Sequence, residues 1–232
     1  MKTVLLCLFP AVALSLAGQA RQADANACFQ ARGKTDSATI EAMSRALEDP
    51  DLFTCAAANL RIAGAVEPLL RGLASENPQV RAAAARELGA FQKLELLQPL
   101  SRAAQDENPL VATNALDGLS QYRDPAVTPY LEALAGKGGM IGDMALDRLL
   151  QLDSAAALKV ARSLLASPQV PDRLYAMRII GAAGDAGDLP ALRKIASSGE
   201  ENLAQRNRGF GFMPPINLAR AAQSAIAAIQ AR

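Results

Sequence analysis

NPQVRAAAARELG, residues 77–89, and NPLVATNALDGLS, residues 108–120, are two copies of one pattern that begin 31 residues apart. Each copy starts with Asn-Pro and continues with apolar residues at helical spacing. Asparagine is a favoured helix N-cap, and proline at the first helical position lacks only an N–H that the helix does not use. Residues 78–90 and 109–121 are therefore predicted to be equivalent helices.

The same pattern continues along the chain in two columns. An Ala with Leu or Ile four residues later recurs with steps of 31, 30 and 31 residues, and a proline column lies about half a period further on. The first column is Ala84/Leu88, Ala115/Leu119, Ala145/Leu149 and Ala176/Ile180, and the second is Pro68, Pro99, Pro129 and Pro190. Two columns with one period predict a tandem repeat of helix pairs, whose neighbours stack because one pair cannot bury its apolar face alone.

Composition supports an all-α protein. Half of the residues are hydrophobic and only 4% are aromatic, with no Trp, which favours closely packed helices over sheets. Gly64, Gly89 and Gly181 are expected to end first helices through left-handed backbone. Helices are predicted near 37–48, 51–63, 66–75, 78–90, 94–105, 109–121, 126–135, 141–151, 154–166, 171–182, 188–197 and 215–230.

These helix pairs, with their Asn-Pro-x-Val turns and the Val-Glu-Pro-Leu-Leu start at Val66, resemble HEAT repeats. The resemblance is to the short bacterial type also found in phycobilisome lyases, and it covers about residues 50–197 and a final helix. It implies a right-handed α-solenoid of about five stacked antiparallel helix pairs with a curved binding surface. Glu76 and Arg81 resemble the acidic-then-Arg ladder of the family, although Ala112 replaces the arginine in the next unit.

The N-terminus is typical of an export signal. Lys2 precedes an apolar run from Val4 to Ala17, interrupted only by Ser15, and this run is shorter than the roughly 20 residues of a membrane span. We predict a signal peptide over 1–20, in which small residues allow cleavage after Ala20 or, alternatively, after Ala17, and an exported protein, in a bacterial periplasm. A buried N-terminal helix is the alternative.

After the predicted signal peptide, segment 21–48 is predicted to be the N-terminal cap, and 49–232 is the repeat array with an insertion near 198–215.

Two cysteines remain after this cleavage, Cys28 and Cys55. An even number in an exported protein predicts a disulfide bond. Two buried free thiols are the alternative.

The charge balance and the absent residue types exclude several functions. The chain has 24 Lys and Arg against 23 Asp and Glu, and the loss of Lys2 makes the counts equal, so neither nucleic acid nor an anionic membrane is an expected partner. The chain has no His, which excludes a Ser-His-Asp triad, His metal ligands and the His-Glu iron sites of hydroxylases in the wider family. No phosphate-binding loop or nucleophile elbow occurs either. We therefore predict no catalytic residue, metal or cofactor.

The stretch from Gly184 to Asp188 holds two carboxylates. Calcium binding is conceivable there but needs about six to eight oxygen ligands. The simpler interpretation is that Asp188 caps the helix that starts at Leu189.

A charged column follows the proline column by three residues, with steps of 31, 30, 30 and 31. It reads Arg71, Arg102, Glu132, Arg162 and Arg193. Apolar positions flank it, so these side chains are expected to point outward from the second helices, which line the concave face in HEAT-like stacks. Guanidiniums in a row suit an acidic peptide or a carboxylate-rich surface. The alternative is a solvated Arg-Glu-Arg network centred on Glu132.

A second charged column lies on the first helices, at Arg86, Asp117, Asp147 and Arg178. Opposite charges are expected to meet as Arg86–Asp117 and Asp147–Arg178, setting the register between repeats.

The period breaks after residue 197, and the stretch 205–215 is the least repeat-like part of the array. It contains Arg206, Arg208, Phe210 and Phe212, and such insertions often lie on a binding face. The alternative is that both phenylalanines pack beneath the C-terminal helix as a cap.

The sequence as a whole predicts an exported, non-enzymatic scaffold that holds an acidic or apolar segment of a protein partner in its concave groove. The first alternative is a small-ligand or cofactor carrier, or a lyase-like enzyme, with the 205–215 loop as a lid. The second is a structural subunit of an envelope assembly. The oligomeric state stays open.

Overall fold

The computed structural model describes residues 26–198 and 217–232, which divide into two compact units. Unit 1 contains the described residues up to Gly118, and unit 2 contains those from Leu119 to Arg232. Every regular element in these two described ranges is a helix, with no β-strand among them. The all-α prediction is confirmed.

Unit 1 is built from helix pairs. After helical residues 26–30, its helices are α1 (Ser37–Ala46), α2 (Phe53–Ile62), α3 (Val66–Gly72), α4 (Pro78–Gly89), α5 (Leu97–Ala103) and most of α6 (Pro109–Ser120). A short 3-10 turn, Leu94–Leu96, leads into α5. The pairs α2–α3 and α4–α5 each pack internally, and the first helices α2 and α4 also pack on each other.

Unit 2 repeats this arrangement. Its helices are α7 (Thr128–Ala135), α8 (Gly139–Leu152), α9 (Ser154–Leu164), α10 (Val170–Ala183), α11 (Leu189–Ser197) and α12 (Leu218–Gln230). The first helices α8, α10 and α12 pack in series, and α7 packs on α9 in the second-helix layer. The predicted helix 215–230 begins at Leu218, and the first two residues of that prediction lie outside the described ranges.

The quoted Asn-Pro pattern acts as predicted. Asn77 accepts a hydrogen bond from the backbone N–H of Gln79 at 2.9 Å, and Asn108 accepts one from Leu110 at 3.0 Å. Ala84 and Leu88 in α4 are fully buried. Side-chain capping therefore fixes the start of α4 and α6, and burial fixes the inner face of α4.

Glycines serve two different purposes here. Gly64 follows α2 with φ +74°, as predicted for a left-handed helix end. The prediction was wrong for Gly89, which is still helical: a Cβ at Gly89 would lie 2.3 Å from the Cα of Gly118, so glycine permits the close approach of α4 and α6. Gly181 likewise lies inside α10, and a Cβ there would lie 3.1 Å from the Cα of Ala225 in α12.

The N-terminal end of unit 1 is held by a disulfide between Cys28 and Cys55, whose Cα atoms lie 6.3 Å apart. The predicted bond is confirmed. The buried Asn59 in α2 supports it, because its side-chain amide donates to the backbone carbonyl of Cys28 at 2.9 Å.

At the other end of the chain, the Arg232 guanidinium donates to three backbone carbonyls at the end of α10. The acceptors are Gly181 and Ala182, both at 2.8 Å, and Gly184 at 2.7 Å. A cation at a helix C-terminus satisfies carbonyls that have no helical partner.

Candidate functional site: the second-helix charged column

Each predicted column residue lies on a second helix. Arg71 is in α3, Arg102 in α5, Glu132 in α7, Arg162 in α9 and Arg193 in α11. We call this set the second-helix column. The surroundings of its members differ, and each unit is described separately.

In unit 1 both column arginines face solvent. The only ion pair of Arg71 among the described residues is a 3.9 Å contact with Glu67, with 62% and 75% of the two side chains exposed. Such an exposed pair contributes little to stability. Arg102 is exposed and makes no ion pair with another described residue.

Arg102 borders an open groove of about 440 Å³ between α3 and α5. We call it the α3–α5 groove. Its apolar floor is formed by Leu70, Leu73, Ala74, Pro99 and Ala103, and its polar lining residues are Arg102 and Asp106. The groove therefore combines an apolar floor with an exposed guanidinium.

Asp106 does not neutralise Arg102, because it is bound elsewhere. Arg81 donates to both of its carboxylate oxygens, at 2.8 and 3.0 Å. Asp106 also accepts from the backbone N–H of Asn108 at 2.9 Å. The hydrogen bond from Arg81 lowers the pKa of Asp106 below its ordinary value, so this carboxylate stays ionised in its bidentate pair.

This pair corrects the predicted ladder. The acidic partner of Arg81 is Asp106 and not the Glu76 side chain, since Arg81 meets Glu76 only at its backbone carbonyl, 3.1 Å away. Arg81 lies in the first turn of α4, and its side chain extends toward the next repeat, where Asp106 lies in the turn before α6. Asp106 is one period after Ser75, which is not acidic, so the repeat pattern gave no signal for this pair.

In unit 2 two of the three column members, Glu132 and Arg162, are held in ion pairs. Glu132 accepts from Lys159 at 3.2 and 3.3 Å. The alternative of an Arg-Glu-Arg network centred on Glu132 is not what this unit contains, because Arg162 bonds to other carboxylates.

Arg162 links α9 to the turn before α11. It donates to Asp188 Oδ1 at 2.7 Å and to Oδ2 at 3.0 Å, and lies 3.7 Å from Asp185. The hydrogen bond from Arg162 lowers the pKa of the buried Asp188. The prediction that the Asp188 side chain caps α11 was wrong: it accepts from Arg162 and from the backbone N–H of Asp185 at 3.0 Å.

Arg193 is exposed on α11 and has no ion-pair partner within residues 26–198 and 217–232. A groove of about 340 Å³ lies between α9 and α11. Arg162 and Lys194 border that groove, and Arg193 does not. The other predicted contact residues, Arg206, Arg208, Phe210 and Phe212, lie outside the described residues.

The first-helix charged column behaves as predicted in unit 2 only. Arg178 and Tyr175 both donate to Asp147, and the guanidinium lies 4.2 Å from the centre of the Tyr175 ring. Burial raises the pKa of Tyr175 to about 12, and its bond to Asp147 adds to the shift.

In unit 1 the expected Arg86–Asp117 pair is absent. Arg86 bonds to its neighbour Glu87 at 3.0 Å, and Arg61 reaches the same carboxylate at 2.6 Å. Glu87 is buried, so it attracts both cations, and Asp117 is left exposed. Sequence spacing did not reveal the contacts of Arg61 and Arg86 with Glu87, because Glu87 belongs to neither of the two charged columns.

Asp143 in α8 carries a partly buried carboxyl group. Its Oδ1 atom is buried and finds no hydrogen-bond partner in the described part of the chain. Burial, with Asp172 and Asp147 nearby, raises the pKa of Asp143 to about 6. Its neighbours are structural: Asp172 accepts from Gly139 at 3.0 Å and from Ser167 at 2.7 Å.

Neither a metal centre nor a membrane span is found in the residues that the structure describes. No group of three or more His, Cys, Asp or Glu side chains among them is arranged to hold a metal ion. Within the same residues, no helix has both the length and the apolar character needed to cross a bilayer.

The stacked helix pairs define the class: the chain is an all-α repeat solenoid. Residues 66–139 match the family model described as HEAT repeats, so the predicted repeat type is confirmed over these residues. No curated protein matches the chain.

The chain is also similar to solved repeat structures. A designed armadillo repeat protein in complex with peptide (KR)4 is 18% identical, with a TM-score of 0.44, and the match covers 81% of this chain and 98% of that one. An engineered protein is 18% identical with a TM-score of 0.45, covering 90% and 64%. A further designed armadillo repeat protein is 18% identical with a TM-score of 0.39, covering 88% and 98%.

Proposed function

We propose that this protein is an exported, non-enzymatic scaffold whose second-helix column binds a carboxylate-rich segment of a protein partner. One observation carries the proposal. Arg102 and Arg193 are exposed and have no ion-pair partner among the described residues, whereas Arg81 and Arg162 are held in bidentate pairs with carboxylates. Unpaired guanidiniums on a scaffold surface suit planar recognition of carboxylates.

Several further features belong to this proposal. The segment 1–20 is the signal peptide, 21–48 is the N-terminal cap, and the array from 49 has its insertion near 198–215. The Cys28–Cys55 disulfide supports export, because such bonds persist in oxidising compartments such as the periplasm. Arg206, Arg208, Phe210 and Phe212 are additional partner contacts, in which the phenylalanines provide an apolar anchor.

Capture from an extract of the source cells tests this function. Immobilised full-length protein is compared with Arg71→Glu/Arg102→Glu, which reverses two column charges. The matched control is Arg32→Glu/Lys34→Glu, which makes the same charge change at exposed positions before α1. We expect one or a few proteins whose recovery falls at least about tenfold with the column variant and stays unchanged with the control.

Salt gives an independent readout. Binding through exposed charges weakens as the ionic strength rises, since the Debye length falls from about 10 Å at 0.1 M to about 3 Å at 1 M. Recovery that is insensitive to both salt and the column variant would remove the arginine column from the proposal.

A further inference from the structure

We infer that the α3–α5 groove is a docking subsite for a peptide in which a bulky apolar side chain stands next to a carboxylate. The inference rests on the proposed function and specifies the partner at one place on unit 1. The apolar side chain would lie on the floor of the groove, and the carboxylate would pair with Arg102.

The floor is apolar surface that the core of unit 1 leaves uncovered. Leu69 in α3 and Leu100 in α5 are fully buried, whereas Leu70, Leu73, Pro99 and Ala103 are only half-buried and line the groove. A volume of about 440 Å³ falls within the roughly 300–1,000 Å³ of ordinary ligand pockets. One aliphatic or aromatic side chain of a bound peptide would remove from water both its own apolar surface and that of the groove floor.

Charge complementarity identifies the second half of the motif. Two charged groups border the groove, Arg102 and Asp106. Both carboxylate oxygens of Asp106 accept from Arg81, so the guanidinium of Arg102 is the unsatisfied charge. A peptide carboxylate next to the apolar anchor could accept a charge-assisted bond from Arg102.

The equivalent position in unit 2 is arranged differently. Arg162 borders the groove between α9 and α11, and its Nε and Nη2 atoms donate to Asp188. The combination of apolar floor and unsatisfied arginine therefore favours the α3–α5 groove as the subsite.

A displayed library of random 12-residue peptides is the probe. It is selected on the full chain, and the enriched peptides are measured by fluorescence anisotropy. We expect them to share Asp or Glu next to a bulky apolar residue. Ala103→Leu fills the groove and Arg102→Gln removes the charge, so each should weaken binding at least tenfold. Lys194→Gln, a charge-matched change in unit 2, should leave binding unchanged.

A double-mutant cycle joins the two halves of the motif. Changing the peptide Glu to Gln, or Asp to Asn, should weaken binding to the wild-type chain about tenfold and have little further effect on Arg102→Gln. Circular dichroism melts check that Ala103→Leu folds. Ala74→Leu, on the α3 side of the groove, serves as a second groove-filling variant.

The outcomes separate this inference from the proposed function. If Arg102→Gln weakens binding but both groove-filling variants do not, the groove is overturned and the arginine column stands. If the groove-filling variants act but Arg102→Gln does not, the carboxylate is overturned. Failure to enrich any peptide, or enrichment of peptides without an acidic residue, also overturns the inference. Loss of partner capture in Arg71→Glu/Arg102→Glu would still support the scaffold in all of these cases.

Discussion

Units 1 and 2 are built from the same repeat, yet they use equivalent arginines differently. In unit 2, Arg162 of the second-helix column joins consecutive repeats through Asp188. In unit 1, a bidentate pair between consecutive repeats comes instead from the first helix, as Arg81–Asp106, and Arg71 and Arg102 stay exposed. A shared register position therefore fixes where a side chain lies, while the neighbouring carboxylates decide whether it stabilises the fold or is available to a partner.

The largest expected effect concerns the disulfide bond, which lies in unit 1. All three cysteines of the chain lie within residues 7–55, so no disulfide can hold unit 2 to itself. Cys28→Ala/Cys55→Ala should lower the free energy of unfolding of unit 1 by about 3 kcal/mol, because the bond closes a loop with a sequence separation of 27.

Urea unfolding, monitored by the hydrogen exchange of peptides from each unit, measures this effect. Faster exchange in unit 1 with unchanged exchange in unit 2 is the expected pattern. Equal acceleration in both units would show that they do not unfold separately.

The second effect distinguishes the bound arginine from the exposed one. Arg162→Ala leaves the buried Asp188 carboxylate without its main partner, so unfolding should become easier by about 2 kcal/mol. Arg102→Ala removes no ion pair within the described residues and should stay within about 0.5 kcal/mol of the wild type. Urea unfolding of both variants measures the difference, and similar losses in the two would contradict the distinction.

The third effect is pH-dependent and belongs to unit 2. The pKa of Asp143 is raised to about 6, above its ordinary value, so folding favours the protonated acid. Stability from this group is complete below its unfolded pKa and is lost as the pH rises through 6. Asp143→Asn should therefore be more stable than the wild type at pH 8, by about 1 kcal/mol after allowance for solvent screening.

That advantage should shrink between pH 6 and pH 4. Urea unfolding at pH 8 and pH 4.5 follows it, with Asp117→Asn as a control at an exposed acid of unit 1. An advantage of the same size at both pH values would mean that the carboxylate charge is not the cause.

The smallest effect concerns Arg71 and Glu67. Their 3.9 Å contact is highly exposed, so Glu67→Ala should change stability by less than about 0.5 kcal/mol. Thermal melts in low and high salt measure it. A clear loss in low salt would show that Arg71 is held in place and less available to a partner than proposed.

The local features of the fold were readable from the sequence. The period is written directly in the sequence, and the Asn-Pro caps and the buried Ala84 and Leu88 depend on residues within one helix or turn, so spacing predicts them. The close approach at Gly89 was not readable, because it depends on Gly118, which lies on another helix. The same limit applies to charges: the partner of Arg81 lies in the next repeat, and Glu87 attracts Arg86 away from Asp117.

The candidate site was readable only as a column. Sequence placed Arg71, Arg102 and Arg162 in one register, and the structure distinguishes them by their contacts. Asp143 carried no sequence signal, because its raised pKa arises from burial and from Asp172, which belongs to a different helix.

The most direct test of the central distinction measures partner recovery and thermal stability together for Arg71→Glu/Arg102→Glu and for Arg162→Glu. The column variant of unit 1 should lose recovery at least about tenfold while its melting temperature stays within about 2 °C of the wild type. Arg162→Glu should instead melt several degrees lower, because it places a second carboxylate beside Asp188. Full recovery with the unit 1 variant, or a melting temperature as low as that of Arg162→Glu, would contradict the account.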